Sequence, residues 1–223
     1  MRAQVCGGWI AGFLLVPVLL VGCVTVPGSG SPVTGSGQVI TEDRPVGPFD
    51  EVESRNGLEI VISIGSPASV KVTAQQNIVP LISTTVADGK LTATLTGSVI
   101  GATPMTVTVV TPSLTTLTLR DGTSATVSGV TADAFTIDAD NGARANLSGT
   151  VGALTVNADN GALLQLSTLV ATDATLTLSN GVTGQIHVTG TVSGNASDGV
   201  LLSVVGGGAV NVNTSGGAII TSQ

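Results

Sequence analysis

From Val52 onward the chain alternates apolar and polar residues. Leu58-Glu59-Ile60-Val61-Ile62, Val70-Lys71-Val72-Thr73, Leu91-Thr92-Ala93-Thr94-Leu95, Met105 to Val110 and Leu114 to Leu119 all read with period two. Period two predicts strands with one buried face, and no useful window shows the 3.6 period of a helix. In the second half the pattern becomes an internal repeat. Asp121-Gly122, Asn141-Gly142, Asn160-Gly161, Asn180-Gly181 and Asp198-Gly199 recur at intervals of 18 to 20 residues, and Gly216-Gly217 forms a degenerate sixth copy. Five residues before the second Gly of each dipeptide stand Leu117, Ile137, Val156, Leu176, Gly194 and Val212. Five after stand Val127, Leu147, Leu166, Ile186 and Val204. Three to either side Ala and Leu dominate, while the even offsets before Gly are Thr, Ser, Asn, Asp or Arg.

The parity of these offsets discriminates between two architectures. A two-residue Asn-Gly hairpin would pair Ile137 with Asn146 and Ala139 with Arg144, setting apolar against polar on one face, which strand registry disfavours. A solenoid has no such conflict: each repeat is one coil, the Asx-Gly turns stack, and like residues lie over like at about 4.8 Å. The prediction is an all-β, single-stranded parallel β-helix-like solenoid with coils of about 18–20 residues over 41–223. Asn141, Asn160 and Asn180 would share one column, and Leu147, Leu166 and Ile186 a buried one. Hairpins with three-residue loops would restore a β-sandwich, so that architecture stays open as the alternative. Asp88-Gly89 is a hairpin-type signal.

Composition narrows the class. The 223 residues include 30 Gly and 31 Thr, no Tyr, 9% charged residues and 2% aromatic ones. That excludes a helical bundle and a long disordered chain. A net charge of -7 with only 7 Lys plus Arg argues against nucleic acid as a partner.

The first segment reads as an export signal. Arg2 precedes a 13-residue apolar run, Trp9 to Val21, which is too short to span a bilayer. Leu20-Val21-Gly22-Cys23 resembles the lipobox of bacterial lipoproteins. The resemblance implies removal of residues 1–22, a lipid on Cys23, and an extracytoplasmic protein anchored to the cell membrane or outer membrane. The remaining domain would then lack a thiol, since Cys6 leaves with the leader, and no disulfide or Cys-based metal site would exist. Residues 23–40, rich in Gly, Ser, Pro and Thr, predict a flexible tether.

Phe49-Asp50 ahead of a short strand, Gly57-Leu58-Glu59-Ile60-Val61-Ile62, Val70-Lys71-Val72 and Asp88-Gly89-Lys90-Leu91, followed by Gly-centred coils, resemble the bacterial autotransporter adhesin head (head GIN) domain family over about Thr41 to Ser222. The resemblance implies a β-helix-like stack on a secreted or lipid-anchored protein, and it carries no catalytic residues to transfer. Family coils more often show Ser-Gly-Ala where this chain has Asn-Gly-Ala at 141–143 and 160–162.

Candidate chemistry is sparse. His187 is the only His and falls at a polar offset, with no second His or Cys to complete a transition-metal site. There is no Gly-x-Ser-x-Gly elbow and no phosphate-binding Gly-x-x-x-x-Gly-Lys-Ser/Thr loop. Asp138, Asp140 and Asp159 fall on adjacent coils of one polar face. Three readings apply: a Ca²⁺ site, a carboxylate pair for polysaccharide cleavage, or Asx side chains bonding neighbouring turns, which the residue types favour. Basic residues are sparse on that face, and no Trp or Tyr follows Cys23 to stack on a sugar. The expectation is a protein with no catalytic, cofactor or metal site. It would serve as a surface adhesion or binding module that takes a protein or glycan on the polar strand face, or alternatively as a structural or assembly component of the envelope. A bare strand edge in the C-terminal coil, at Gly217 to Ile220, is expected to meet another copy or a partner.

Overall fold

The computed structural model describes residues 31–223; the leader, Cys23 and the first part of the tether lie outside the described residues. Strands account for nearly all regular structure, with one 3₁₀ turn at Val79–Leu81. Among the described residues no helix is long and apolar enough to cross a membrane.

The solenoid is present and the sandwich of hairpins is not. Ser124–Ala139, Arg144–Ala158 and Leu163–Leu178 are long strands that bend once and pair in parallel with the next coil. The bend divides each coil into a part leading into the next Asx-Gly turn and a part trailing the previous one. We call the two surfaces built from these parts the leading face and the trailing face. Val127 lies beside Leu147 and Ile137 beside Val156, so residues 137 and 147 sit on different faces and do not pair across a hairpin. The coils shorten from 20 to 18 residues in the C-terminal part, where Thr183–Val188, Thr191–Ala196, Leu201–Val205, Ala209–Thr214 and Ile219–Ser222 continue both faces in parallel.

The Asx-Gly turns form one column. Asn141, Asn160 and Asn180 have φ of 53°, 51° and 52°, and the glycines that follow have φ of 73° to 74°. Asn tolerates this left-handed region and Gly enters it freely. The N–H of Gly142 donates to the carbonyl of Asn160, and that of Gly161 to the carbonyl of Asn180, so each turn is tied to the next level. An additional member opens the column: Asn56-Gly57, whose Gly N–H bonds the carbonyl of Asp121. It stands 65 residues before Asp121, so the 18–20-residue period hides it, although Val52, Leu58, Ile60 and Ile62 occupy the same apolar offsets and are fully buried.

The interval is long because the coil is interleaved. Glu51–Arg55 and Glu59–Ile64 lie between an outer level, made of Lys90–Leu95 and Met105–Thr111, and the level of Thr116–Leu119. The chain returns from the outer level directly to Thr116–Leu119, passing over the coil it made first. Beyond the outer level the pairing turns antiparallel: Ile82–Ala87 extends the sheet of the leading face at its edge, and Ser69–Gln75 followed by Val39–Arg44 extends that of the trailing face. The all-parallel expectation therefore holds only for the coils. Asp88-Gly89 makes a true hairpin, with Val86 opposite Leu91 and Ile82 opposite Leu95.

The tether is shorter than expected. Val33–Thr34 pairs with Val99–Ile100, and the strand Val39–Arg44 begins within the segment assigned to the tether. Those residues are exposed, so a reading based on burial misses them; backbone hydrogen bonding, which is indifferent to side chain, docks them. Between the faces runs a continuous apolar core in which Leu147, Leu166 and Ile186 are fully buried.

Candidate functional site

The leading face presents three outward rows, two, four and six residues before the Gly of each turn. The first row reads Arg55, Arg120, Asp140, Asp159, Ser179 and Ser197 along the stack, the second Glu53, Thr118, Asp138, Asn157, Thr177 and Asn195, and the third Glu51, Thr116, Thr136, Thr155, Thr175 and Ser193. They stand on the outside because the odd offsets fill the core. A depression of about 410 Å³ opens on this face, lined chiefly by Arg120, Asp138, Asp140, Asn157, Asp159 and Ser179.

The three predicted carboxylates are brought to adjacent levels, and an amide ladder engages each of them. Asp138 Oδ1 accepts from Asn157 Nδ2 at 2.8 Å. Asp140 Oδ1 accepts from Asn160 Nδ2 at 2.9 Å and from the Asn141 N–H at 2.7 Å. Asp159 Oδ1 accepts from Asn180 Nδ2 at 2.7 Å, the Ser179 hydroxyl at 2.9 Å and the Asn160 N–H at 2.7 Å. Asn141 Nδ2 reaches Asp121 at 3.0 Å. The geometry matches Asx side chains bonding neighbouring turns. Among the described residues no three acidic, His or Cys side chains form a group able to hold a metal ion.

Donors from Asn180 first, then Ser179, hold the Asp159 carboxyl below the usual carboxylate range, assisted by the Asn160 N–H and opposed by partial desolvation. A depressed folded-state pKa contributes stability at pH values above the unfolded one, about 3.9, and the contribution disappears as pH falls through the folded value. Asn180→Ala is expected to return the Asp159 carboxyl toward its ordinary titration, read by carbon-detected NMR between pH 2 and 6. The part of the variant's stability loss that comes from Asp159 should disappear at the acid end of that range, leaving the pH-independent cost of Ala at the left-handed φ of 52°.

Basic residues are not sparse at one end of this face. Glu53, 6% exposed, accepts Arg55, with Lys90 Nζ at 3.7 Å and Arg120 Nε at 3.9 Å. Arg120 also reaches Asp140 at 3.6 Å. Half of the six basic residues beyond Cys23 thus meet at one carboxylate. The offset pattern missed this because Lys90 and Arg55 belong to levels outside the visible repeat. His187 is half-buried on the trailing side, its Nδ1 3.1 Å from the Ser167 carbonyl oxygen, rather than fully on the surface.

Solved structures share this architecture. A "putative adhesin" from Bacteroides fragilis aligns with a TM-score of 0.64 at 20% identity, covering 86% of this chain and all of the other. A "putative adhesin" from Parabacteroides distasonis gives 0.58 at 17% identity with the same coverage. A "putative lipid binding protein" from the same species gives 0.53 at 12% identity, covering 86% of this chain and 99% of the other. At these identities the likeness is one of fold. No curated protein matches the chain. The profile described as "Putative auto-transporter adhesin, head GIN domain" matches residues 48–216, and the chain belongs to that family.

Proposed function

We propose that this protein is a non-catalytic adhesion module, exported and anchored by lipid on Cys23 to the cell membrane or outer membrane, that engages its partner through the leading face. The observation carrying this reading is the construction of that face. Its Thr, Ser, Asn, Asp and Arg side chains repeat at about 4.8 Å along the stack, on strands held from both sides. Such a surface offers many hydrogen-bonding groups at low ordering cost. It lacks the aromatic anchors that concentrate binding energy, so each copy binds weakly and attachment is multivalent. Family membership and the lipobox-like Leu20-Val21-Gly22-Cys23 agree with an exported, surface-held protein.

The reading is tested on whole cells expressing the full chain. Cells with the wild-type protein should adhere to a ligand-bearing surface, and Thr136→Arg with Thr175→Arg, which interrupts the third row, should reduce adhesion about tenfold while leaving the fold intact. Unchanged adhesion, or an envelope defect on deletion with no adhesion at all, would count against it. Cys23→Ala is expected to abolish incorporation of labelled fatty acid; incorporation in that variant would disprove the anchor.

A further inference from the structure

The first outward row of the leading face carries its charges in two blocks rather than in alternation. Over four successive levels it reads Arg55, Arg120, Asp140, Asp159: two positive charges, then two negative. The levels are fixed by backbone bonds, with Arg120 N–H to the Ser54 carbonyl, Asp140 N–H to Leu119 and Asp159 N–H to Ala139. Like charges directly opposite on adjacent strands are destabilising, and an alternating order would neutralise the row within the chain. Here Glu53 bridges the two arginines, the Asn160 side chain and N–H bridge the two aspartates, and Arg120 lies 3.6 Å from Asp140 of its own chain where the two blocks join, close enough to exchange that partner for the same residue of a second copy. Arg55 and Arg120 keep 47% and 41% of their side-chain surface exposed, and Asp140 keeps 28%.

A row ordered plus-plus-minus-minus complements its own reverse. We propose that the partner of the leading face is a second copy of this chain, docked face to face about a two-fold axis parallel to the strands; this rests on the adhesion reading and names its partner. The axis reverses the stack while keeping each row over itself. Arg55 then faces Asp159 of the second copy, and Arg120 faces Asp140, each pair occurring twice. In the same register Glu51 meets Thr155, Thr116 meets Thr136, and Lys90 meets Thr175, while Glu53 and Thr118 are already buried within their own chain. No like charges meet.

The register is unique among its neighbours. A shift of one level in one direction sets Arg120 against Arg120, and in the other sets Asp140 against Asp140 and Asp138 against Asp138. An axis along the stack through the middle row sets Glu53 against Glu53 and Asp138 against Asp138. The surface involved spans about three rows and six levels, on the order of 1,000 Å² in total, the weak end of specific interfaces. Reversed stacks place the ends at which the described chains begin on opposite sides of the contact. That geometry suits copies held on two apposed surfaces, where density supplies avidity.

The exported protein, purified from expressing cells, is examined by sedimentation alongside mixed aggregation of cells in two colours. Wild type should dimerise with a dissociation constant on the order of 10–100 µM, weakening at least tenfold between 50 and 500 mM salt. Arg55→Glu with Arg120→Glu, and separately Asp140→Arg with Asp159→Arg, should each lose self-association at least tenfold. An equal mixture of the two should recover it, and cells of the two colours should clump only with each other. If a reversal variant fails to fold by circular dichroism, Arg55→Gln with Arg120→Gln gives the same loss with less strain. A wild-type protein monomeric near 1 mM, variants that associate as wild type does, or folded reversal variants that fail to recover on mixing would overturn the proposal. If the protein stays monomeric while its cells still adhere to foreign surfaces, only the second-copy partner is wrong. If it neither self-associates nor mediates adhesion, the adhesion reading falls as well.

Discussion

Leu166→Asp is expected to break the stack. Leu166 is fully buried beside Ile186, in a column that also holds Ile62, Val127, Leu147 and Val204. A carboxylate there has no donor to meet it and must either stay charged in an apolar interior or take up a proton; either way the cost is about 3–5 kcal/mol. Each coil of a solenoid rests only on its neighbours, so a failed middle coil separates the two ends. A loss of roughly 10–20 °C in melting temperature, or two separated transitions, would be the signature. Thr155→Asp, on the outer face two coil levels from Arg120, is the control and should change stability by no more than about 0.5 kcal/mol. Equal damage from both would mean that the inner and outer faces are misassigned.

Gly194→Val is expected to destabilise the protein by about 3 kcal/mol, the opposite of what the repeat alone suggests. The equivalent positions are Leu117, Ile137, Val156, Leu176 and Val212, so Val would appear to complete an apolar column. The backbone at Gly194 has φ +122°, and an added Cβ would stand 2.0 Å from the Leu176 carbonyl oxygen. A β-branched residue cannot hold that conformation, and the contact is with backbone, so the neighbouring strand must shift. Urea unfolding at neutral pH would measure the loss. A variant as stable as wild type would show that the coil can adopt the ordinary strand geometry of its neighbours.

Much of the fold is written in local parity. The same Asx-Gly turn, with φ positive at both residues, appears at Asp88-Gly89 and at Asn141-Gly142. At the first, apolar residues fall three before and two after the Gly, as Val86 and Leu91, and the strands fold back and pair. At the second they fall three before and three after, as Ala139 and Ala145, and the strands pair with other coils. The turn dipeptide does not choose; the match of faces across it does, because a hairpin sets paired residues on one side. The same template fits Asn56-Gly57, which a search by period passes over because residues 65–113 intervene.

The candidate site divides along the same line. By itself the sequence determined which residues point outward, that Asp138, Asp140 and Asp159 share a face, and that the turn Asn residues stack, since side-chain alternation and turn chemistry are properties of neighbours in the chain. Only the tertiary structure decided that the coil of residues 51–64 is inserted between the outer level and Thr116–Leu119, and with it the convergence of Arg55, Lys90 and Arg120 on Glu53. Parallel strands are joined by no hairpin that would fix their order, so the level on which a strand lies is set by contacts between segments remote in sequence. The order of charges along the stack is a consequence of that choice.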